Sequence, residues 1–314
     1  MDLVLPELAL SIWVAEILFG WPSWVHERIR HPVVWIGALV NRLDDAWNRP
    51  HDTIDQRRRA GLLCTLVVIG ATVLVAMLIS QALPDTLPGY AIEALVGSSL
   101  LASRSLDKHV RAVAIPLAAG NLASARVAVA CIVGRDCTTL DEQGISRAAL
   151  ESLAENASDG VVAPLFWCVL LGLPGLAAYK AINTLDSMIG HRTSRHEEFG
   201  RFSARLDDLV NLVPARITAA LMIVAGGIRA QPGAVMREAR LHRSPNAGWP
   251  ESAAARTLGV RLSGPREYAG VRANEPWLNP QGRDPEHSDL LAGLWLYRRA
   301  LLFGVLVLAA VACV

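Results

Sequence analysis

The stretch LVVIGATVLVAMLIS, residues 66–80, lies within a longer segment from Ala60 to Pro84 that contains no charged residue. A helix needs roughly 20 apolar residues to cross the hydrocarbon core of a bilayer. The segment is long enough for this and too apolar for the surface of a soluble domain. We therefore expect a transmembrane helix near residues 60–84.

Five other apolar segments accompany it. The segment near 3–25 carries Asp2, Glu7 and Glu16 rather than a basic leader, so we interpret it as a retained first membrane helix. Pro164 and the Gly172–Gly175 run predict a broken or re-entrant helix. The predicted fold is all-α and polytopic, a single membrane-embedded domain over 1–314 with about four to six membrane segments. The segments are expected near 3–25, 60–84, 90–103, 160–180, 209–228 and 300–314, with cytoplasmic helical loops at 104–159 and 229–299.

The overall composition supports a membrane protein and argues against nucleic-acid binding. The chain is 52% hydrophobic and 19% charged, with mean hydropathy +0.33, whereas soluble domains carry roughly 25% charged residues. Its net charge of +1 provides no general attraction for DNA or RNA. The five cysteines form no C-x-x-C pair, so neither zinc nor disulfides are indicated.

Arginines flank the apolar segments in a pattern that predicts orientation. Arg57, Arg58 and Arg59 precede the segment near 60–84, and basic residues also fill the stretch from 229 to 299. Positive residues favour the cytoplasmic side, so we expect a protein of the cell (inner) membrane whose active site faces the cytoplasm. Counting 160–180 as a full span would send 180–205 outside, and the span number therefore stays open.

Acidic side chains recur every four residues in ESLAENASDG, residues 151–160. On a helix, Glu151, Glu155 and Asp159 fall near one face, where like charges repel. A solvated acidic face is the simpler interpretation. Because an apolar segment begins at Gly160, Asp159 is expected at the bilayer surface, where a Mg²⁺ ion or an arginine cluster would be a natural partner.

Two further polar clusters follow within about sixty residues. In AYKAINTLDSMIGHR, residues 178–192, one helical face is predicted to carry Lys180, Thr184, Ser187 and His191, with Asn183 and Asp186 beside it. In FSARLDDLVNLVPAR, residues 202–216, the polar residues are Arg205, Asp207, Asp208 and Asn211. Hydrogen bonding between helices is one interpretation, and a site for Mg²⁺ carrying substrate phosphates is the other.

These blocks resemble those of a known family. E-S-L-A-E-N-x-S-D-G, N-T-L-D-S-M-I-G and A-R-L-D-D-x-x-N-x-x-P-A-R are similar to blocks of the CobD/CbiB family of adenosylcobinamide-phosphate synthases. H-P-V-x-W-I-G from His31, V-G-R-D from Val133 and S-P-N-x-G from Ser244 support the resemblance, which covers nearly the whole chain. Glu16 and Ser263-Gly264 depart mildly from the family pattern.

The resemblance implies an ATP-dependent ligase of cobalamin biosynthesis. It would join aminopropanol, or its phosphate, to a propionate carboxylate of adenosylcobyric acid as an amide, with ATP as co-substrate and Mg²⁺ as cofactor. The corrinoid, with its cobalt, is substrate. Membrane lipid is an expected partner and nucleic acid is not, while docking of other cobalamin-pathway enzymes is left open.

The resemblance also suggests roles for individual residues. The predicted metal ligands are Glu151, Glu155, Asp159, Asp207 and Asp208, and the predicted catalytic residues are Lys180, Asp186, His191 and Arg205. The predicted substrate- or phosphate-binding residues are His31, Lys108, His109, Asn156, Asn183, Thr184, Ser187, Arg192, Asn211, Ser244 and Asn246. His109 and His191 are both candidates for the base that deprotonates the amine.

Two other classes of protein remain as alternatives. An intramembrane prenyltransferase also uses Asn and Asp clusters with Mg²⁺, but Asn183-x-x-Asp186 is followed by Gly190 where a further acid is expected. A transporter would carry polar residues within its spans as well. No inverted repeat is evident, and long loops carrying the motif blocks favour the enzyme.

Overall fold

The computed structural model describes residues 5–21, 23–134, 136–268, 271–273 and 275–313. The described chain is almost entirely helical. Its helices are α1 (Leu5–Phe19), α2 (Ser23–Ile29), α3 (Pro32–Trp47), α4 (Ile54–Ala82), α5 (Leu87–Ser98), α6 (Ser103–Ala118), α7 (Leu122–Ala130), α8 (Glu142–Ala157), α9 (Ala163–Ile189), α10 (Arg201–Val210), α11 (Leu212–Gly226), α12 (Pro232–Ala239), α13 (Gly248–Leu258) and α14 (His287–Ala312). A π-helical turn at Ser158–Val162 links α8 to α9, and a 3₁₀ turn covers Gly227–Ala230.

Four short strands follow α13. Strand β1 (Leu262–Ser263) pairs antiparallel with β4 (Trp277–Leu278), placing Leu262 opposite Leu278. Strand β2 (Arg266–Tyr268) pairs antiparallel with β3 (Val271–Ala273). These two strand pairs add little to an architecture that confirms the predicted all-α fold.

Three helical stretches within the described residues are long and apolar enough to cross a membrane: Ile54–Ala82, Glu142–Ile189 and His287–Ala312. The consecutive helices α10 and α11 would make a fourth if they form one span. On α4, Leu63, Leu74 and Leu78 are each more than half exposed, which suits contact with lipid chains rather than water. The predicted minimum of four segments is therefore reached only with the α10–α11 pair.

The two remaining predicted segments form shorter helices. The segment near 3–25 is interrupted, because α1 ends at Phe19 and Gly20 has a positive φ of 59°. At 1.5 Å per residue, the 15 residues of α1 and the 12 of α5 fall short of a hydrocarbon core of about 30 Å. Residues 3, 4 and 22 of the first segment lie outside the described residues.

The chain divides into two compact units. The first comprises Met1–Ala102, Ala163–Asn211 and Leu308–Val314, and the second Ser103–Val162 and Leu212–Val307. In the first, α3, α4 and α9 bury a cluster that includes Val40, Cys64 and Leu185. In the second, α6, α8, α13 and α14 contribute to a larger apolar core that includes Val110 and Leu150.

The break predicted in the segment near 160–180 is present inside α9. Gly172 adopts φ 66° and ψ −156°, which is not helical, and Pro174 follows two residues later. Proline removes a backbone donor, and only glycine adopts this backbone conformation without strain. The two residues therefore redirect α9 before it reaches its polar C-terminal half.

An aromatic and ionic cluster fixes the β1–β4 strand pair in the second unit. Asp284 accepts hydrogen bonds from Arg147 at 2.5 Å and from Arg261 at 2.8 and 2.5 Å. Both guanidinium groups also lie over the Trp277 ring, 4.8 and 4.5 Å from its centroid. The hydrogen bonds from Arg261, together with the charge and hydrogen bond of Arg147, outweigh the opposing effect of burial and keep the pKa of Asp284 below its usual value.

We predict that Asp284→Asn removes a pH-dependent part of the stability. A carboxylate whose pKa is lower in the folded state stabilises the fold above the unfolded pKa, about 3.9, and this contribution disappears as the pH falls. At pH 7 the variant should lose about 1.5–3 kcal/mol of unfolding free energy, the range for hydrogen bonds to charged groups. Thermal unfolding in detergent at pH 7 and pH 3, with the exposed Asp85→Asn as control, measures this. An equal difference from wild type at both pH values would contradict the expectation.

We predict that Gly172→Ala destabilises the first unit. A Cβ at φ 66° is strained, and it would also approach Leu5 Cδ2 to 3.3 Å. Such backbone strain costs about 1–3 kcal/mol. Gly70→Ala on α4 is the matched control, because a Cβ there meets nothing within 4 Å. The unfolding midpoint in detergent should fall for Gly172→Ala alone, and equal midpoints would disprove this account of the break.

Candidate functional site

The polar residues predicted near 180–211 gather in the first unit, where α10 packs against the C-terminal half of α9. Tyr179 donates its hydroxyl hydrogen bond to Asn211 Oδ1 at 2.9 Å, and Asn211 in turn donates to Asp207 Oδ2 at 3.0 Å. Trp167 donates to the carbonyl of Val210 at 3.1 Å. These three bonds fix the end of α10 on α9 and orient the Asp207 carboxylate.

Three carboxylates lie close enough here to repel one another. Asp186 on α9 interacts electrostatically with both Asp207 and Asp208 on α10. Asp207 is 9% exposed, whereas Asp208 is exposed to solvent. Like charges in a partly buried place are unfavourable unless a cation, a proton or a hydrogen-bond donor compensates for them.

Positive groups approach this acidic cluster from the loop that follows α9. The His191 side chain interacts favourably with Asp186, and Arg192 interacts favourably with Asp208. Within α9, Lys180 Nζ donates to Asn183 Oδ1 at 3.4 Å. The site therefore combines carboxylates with ammonium, guanidinium and imidazole groups, which suits a ligand with phosphate groups.

One feature of the predicted polar stripe is wrong. Helix α9 ends at Ile189, so His191 does not share the helical face of Lys180, Thr184 and Ser187. The helix ends where Gly190 follows, because glycine is a weak helix former and is common just past a helix C-terminus. His191 is instead the second residue of a loop and reaches Asp186 from there.

The hydroxyl groups of the stripe are used by the helix itself. Thr184 donates to the carbonyl of Lys180 at 2.7 Å, and Ser187 donates to the carbonyl of Asn183 at 2.8 Å. Their oxygens can still accept hydrogen bonds from a ligand, but both hydroxyl protons are already donated to carbonyl groups of α9. Arg205 lies on the exposed side of α10.

The oxygen donors suit magnesium. Mg²⁺ usually takes one or two protein carboxylates and fills its other positions with water and substrate phosphate oxygens. Asp207 and Asp208 with the nearby amide of Asn211 match that chemistry. Among the described residues, no group of three or more His, Cys, Asp or Glu side chains is placed to hold a metal ion, and a Mg²⁺ site with two protein carboxylates that is completed by substrate would not need such a group.

The predicted acidic block of residues 151–160 lies in the second unit. Glu151 is 5% exposed and accepts the backbone N–H of Ser263 at 2.7 Å, whereas Glu155 is exposed. Asn156 donates to the carbonyl of Ser152 at 2.9 Å. Asp159 belongs to the π-helical turn, so it does not continue the α-helical face on which acidic residues were predicted every four residues. The α-helix ends at Ala157. Such turns are frequent at functional sites.

The other predicted binding residues occupy separate local structures. His31 caps α3, accepting the N–H of Val33 at 3.3 Å, and Lys108 and His109 are exposed on α6. Ser244 Oγ accepts the N–H groups of Asn246 and Ala247 at 3.2 and 3.1 Å, which closes the predicted turn. Asn246 is 7% exposed.

Two features escaped the sequence interpretation. Tyr179, which positions Asn211, was detectable as a hydroxyl group in an apolar helix directly before Lys180. The ion pair between Asp44 and Arg195 had no local signal, because 151 residues separate its partners. It anchors the loop that carries His191 and Arg192.

Comparison with known proteins identifies the family. The model of the family described as CobD/Cbib protein matches residues 9–297. The "Cobalamin biosynthesis protein CobD" of Rhodobacter capsulatus is 56% identical over 95% of this chain and 94% of its own length. Proteins of the same name from Sinorhizobium fredii (46% identical, covering 90% of each chain) and Brucella anthropi (42%, covering 99% of this chain and 98% of its own) are also similar. No solved structure matches. With a family model that covers most of its length and relatives that align over nearly all of it, the chain belongs to the CobD/Cbib family.

Proposed function

We propose that this protein is an ATP-dependent amide ligase of cobalamin biosynthesis. It would join aminopropanol, or its phosphate, to the propionate carboxylate of adenosylcobyric acid and release adenosylcobinamide or its phosphate. Membership of the family and relatives named for cobalamin biosynthesis support the pathway. The main structural support for an ATP-dependent reaction is the acidic cluster, in which α10 brings Asp207 and Asp208 near Asp186.

The chemistry explains why such a cluster is useful. A carboxylate at neutral pH is a poor electrophile, so it must first accept a phosphoryl or adenylyl group from ATP before an amine attacks it. Mg²⁺, when bound, neutralises charge on the transferring phosphates. Asp207 and Asp208 would hold it, and Asn211, fixed by Tyr179, would keep the Asp207 carboxylate in place.

The remaining residues of the first-unit site have complementary roles in the proposal. Lys180, Arg192 and Arg205 would bind phosphate groups and offset charge that develops in the transition state. Asn183 and the hydroxyl oxygens of Thr184 and Ser187 would orient the ligands. His191, beside Asp186, would accept the proton of the attacking amine. The alternative base, His109, belongs to α6 in the second unit.

Residues of the second unit complete the proposed assignments. The proposed metal ligands there are still Glu151, Glu155 and Asp159. Of these, Asp159 lies in the π-helical turn. The other proposed substrate-binding residues are His31, which caps α3 in the first unit, and Lys108, Asn156, Ser244 and Asn246 in the second. We also propose that the protein lies in the inner membrane with its site open to the cytoplasm, where ATP is available, and that it contacts lipid and other pathway enzymes.

The decisive experiment is mass spectrometry of purified membranes incubated with adenosylcobyric acid, aminopropanol phosphate, ATP and Mg²⁺. We expect a product that carries the added aminopropyl phosphate mass and depends on ATP. Asp207→Asn and Asp208→Asn should each lower kcat by about 100-fold or more, because charge stabilisation of transferring phosphates would be lost. Asp85→Asn, which removes an exposed carboxylate outside the site, is the control.

The outcomes separate the functional classes. Absence of the amide product with folded wild-type protein would reject the ligase and favour a transporter or prenyltransferase. Full activity of folded Asp207→Asn and Asp208→Asn would reject their role as metal ligands even if the product forms.

We predict that Gly190→Ala displaces Asp186 and impairs the site in the protein that folds. The new Cβ would lie 2.0 Å from Asp186 Oδ1 and 2.6 Å from the Asp186 backbone oxygen, so both the carboxylate and the end of α9 must move. Displacement of a reacting or ligating group by about 1 Å costs roughly 10- to 100-fold in rate. The product assay measures kcat, and Gly70→Ala, whose Cβ meets nothing within 4 Å, is the matched control. Unchanged kcat would show that the position of Asp186 is unimportant.

A further inference from the structure

Residues 190–200, here called the 190–200 loop, connect α9 to α10 and face two groups of charged residues. On one side, His191 and Arg192 interact with Asp186 and Asp208. On the other side, Arg195 and His196 contact Asp44 on α3. Both sides belong to the first unit, so one short loop links the candidate site to α3.

Asp44 receives an unusual number of donors. Arg195 donates through Nε and Nη2 to Oδ2 at 2.9 and 2.8 Å, and His196 Nε2 lies 3.2 Å from the same oxygen. Asn48 donates to Oδ1 at 2.8 Å and also to the carbonyl of Arg195 at 3.0 Å. The Asp44 side chain is only 10% exposed, so these contacts are shielded from water.

The charge state of Asp44 agrees with this arrangement. Burial alone would raise the pKa of Asp44, but hydrogen bonds from Asn48, Arg195 and His196 outweigh it and hold the pKa below its usual value. A buried carboxylate with a two-bond arginine contact is among the stronger ionic interactions in proteins. Removing one partner of such a pair leaves an uncompensated charge.

Close backbone packing holds the rest of the loop. Phe199 is fully buried against α3, α4 and α9, and a Cβ at Gly61 of α4 would lie 1.8 Å from its carbonyl oxygen. A Cβ at Gly200 would lie 1.6 Å from the carbonyl oxygen of Ile189. The C-terminal part of the loop therefore has little freedom, and the Asp44 contacts restrain the middle part.

Helix α4 provides weaker restraints. Arg57 donates to the carbonyl of Ser194 at 3.3 Å, and Arg58 pairs with Glu198 at 2.6 Å. The Arg58 side chain is 43% exposed, so this pair is screened by solvent. Asp44 is thus the best-shielded charged anchor described for the loop.

We infer that Asp44 is a positioning residue: by anchoring the 190–200 loop through Arg195 and His196, it keeps Arg192 beside the acidic site, where Arg192 binds the phosphates of the nucleotide. The inference rests on the proposed function and adds a residue of α3, remote in sequence, to that site. Asp44 acts only through the loop. Its loss is therefore expected to have the same effect on the KM for ATP as the loss of Arg192, whereas an effect through His191, the proposed base on the same loop, would fall on kcat.

The test is a double-mutant cycle on the purified protein in detergent or lipid. Asp44→Asn and Arg192→Ala should each raise the KM for ATP by about tenfold over wild type. The double variant should also raise it by only about tenfold over wild type, not by about a hundredfold, because the effects of coupled residues are not additive. The KM for adenosylcobyric acid should change by less than about twofold in all three, since Arg192 is assigned to the nucleotide.

Asp45→Asn is the matched control. Asp45 contacts the same Arg195 at 3.3 Å, but its side chain is 81% exposed. A solvent-screened pair contributes little. We expect Asp45→Asn to leave both KM values at the wild-type level.

Further variants keep the test conclusive. If Asp44→Asn yields little folded protein, Arg195→Gln breaks the same ion pair at its other, half-exposed member. If Arg192→Ala is inactive, Arg192→Lys replaces it in the cycle. Asp44→Glu, which restores the carboxylate, should recover part of the affinity for ATP.

Each result decides the matter. Additive effects, or an equal rise in the KM for adenosylcobyric acid, would show that Asp44 serves only general stability and would overturn the inference. An inactive wild-type protein would overturn the proposed function, and with it this role of Asp44. An active wild type with non-additive, nucleotide-specific effects supports both.

Discussion

The C-terminal half of α9 has to satisfy two opposing demands, and the rest of the first unit is arranged around it. Its apolar residues, such as Leu185 and Ile189, pack against α3 and α4, while Asp186 on the same helix belongs to the polar site. A carboxylate at such a place is tolerable only if other groups compensate for its charge. The loop after α9 supplies His191 for that purpose, and α10 brings the amide of Asn211 to the neighbouring Asp207. Helix α9, helix α10 and the loop between them therefore provide both the apolar packing and the charge compensation.

Glycine is what allows these elements to come so close. At Gly61, Gly190 and Gly200, a Cβ would lie within about 2 Å of a neighbouring oxygen, a separation that real Cβ atoms do not show. Each of these glycines brings a backbone or carboxylate oxygen of the first unit against a helix or loop. The site thus depends on the absence of side chains at three positions as much as on the charged groups that were visible as motifs.

The sequence predicted features that are determined within one segment of the chain, and it did not predict contacts between distant segments. Uninterrupted hydrophobicity predicted α4, and the glycine and proline near 172–174 predicted the break in α9, because both act through the backbone of their own segment. The cluster of Asp186 with Asp207 and Asp208 joins two polar blocks that are near one another in the chain, whereas the third predicted block, residues 151–160, lies in the second unit. Helical periodicity failed at His191 and Asp159, since a helix end and a π-helical turn change the angle between successive side chains. The Asp44–Arg195 contact was beyond reach because nothing in either segment specifies a partner 151 residues away.

The division of the chain into two interleaved units has a consequence for how the protein forms. The first unit needs residues before 103 together with residues 163–211 and 308–314, and the second needs 103–162 together with 212–307. Neither unit is a continuous stretch of sequence, so no simple truncation isolates one of them. During synthesis, the early helices must wait for α9 and α10 before their packing is complete, and α6 to α8 must wait for α11, α13 and α14. Such long-range pairing delays native contacts and lengthens the time that apolar surface is uncovered. Insertion into a bilayer while the chain is still growing would shield that surface, so a membrane serves this chain as a folding environment as well as a location.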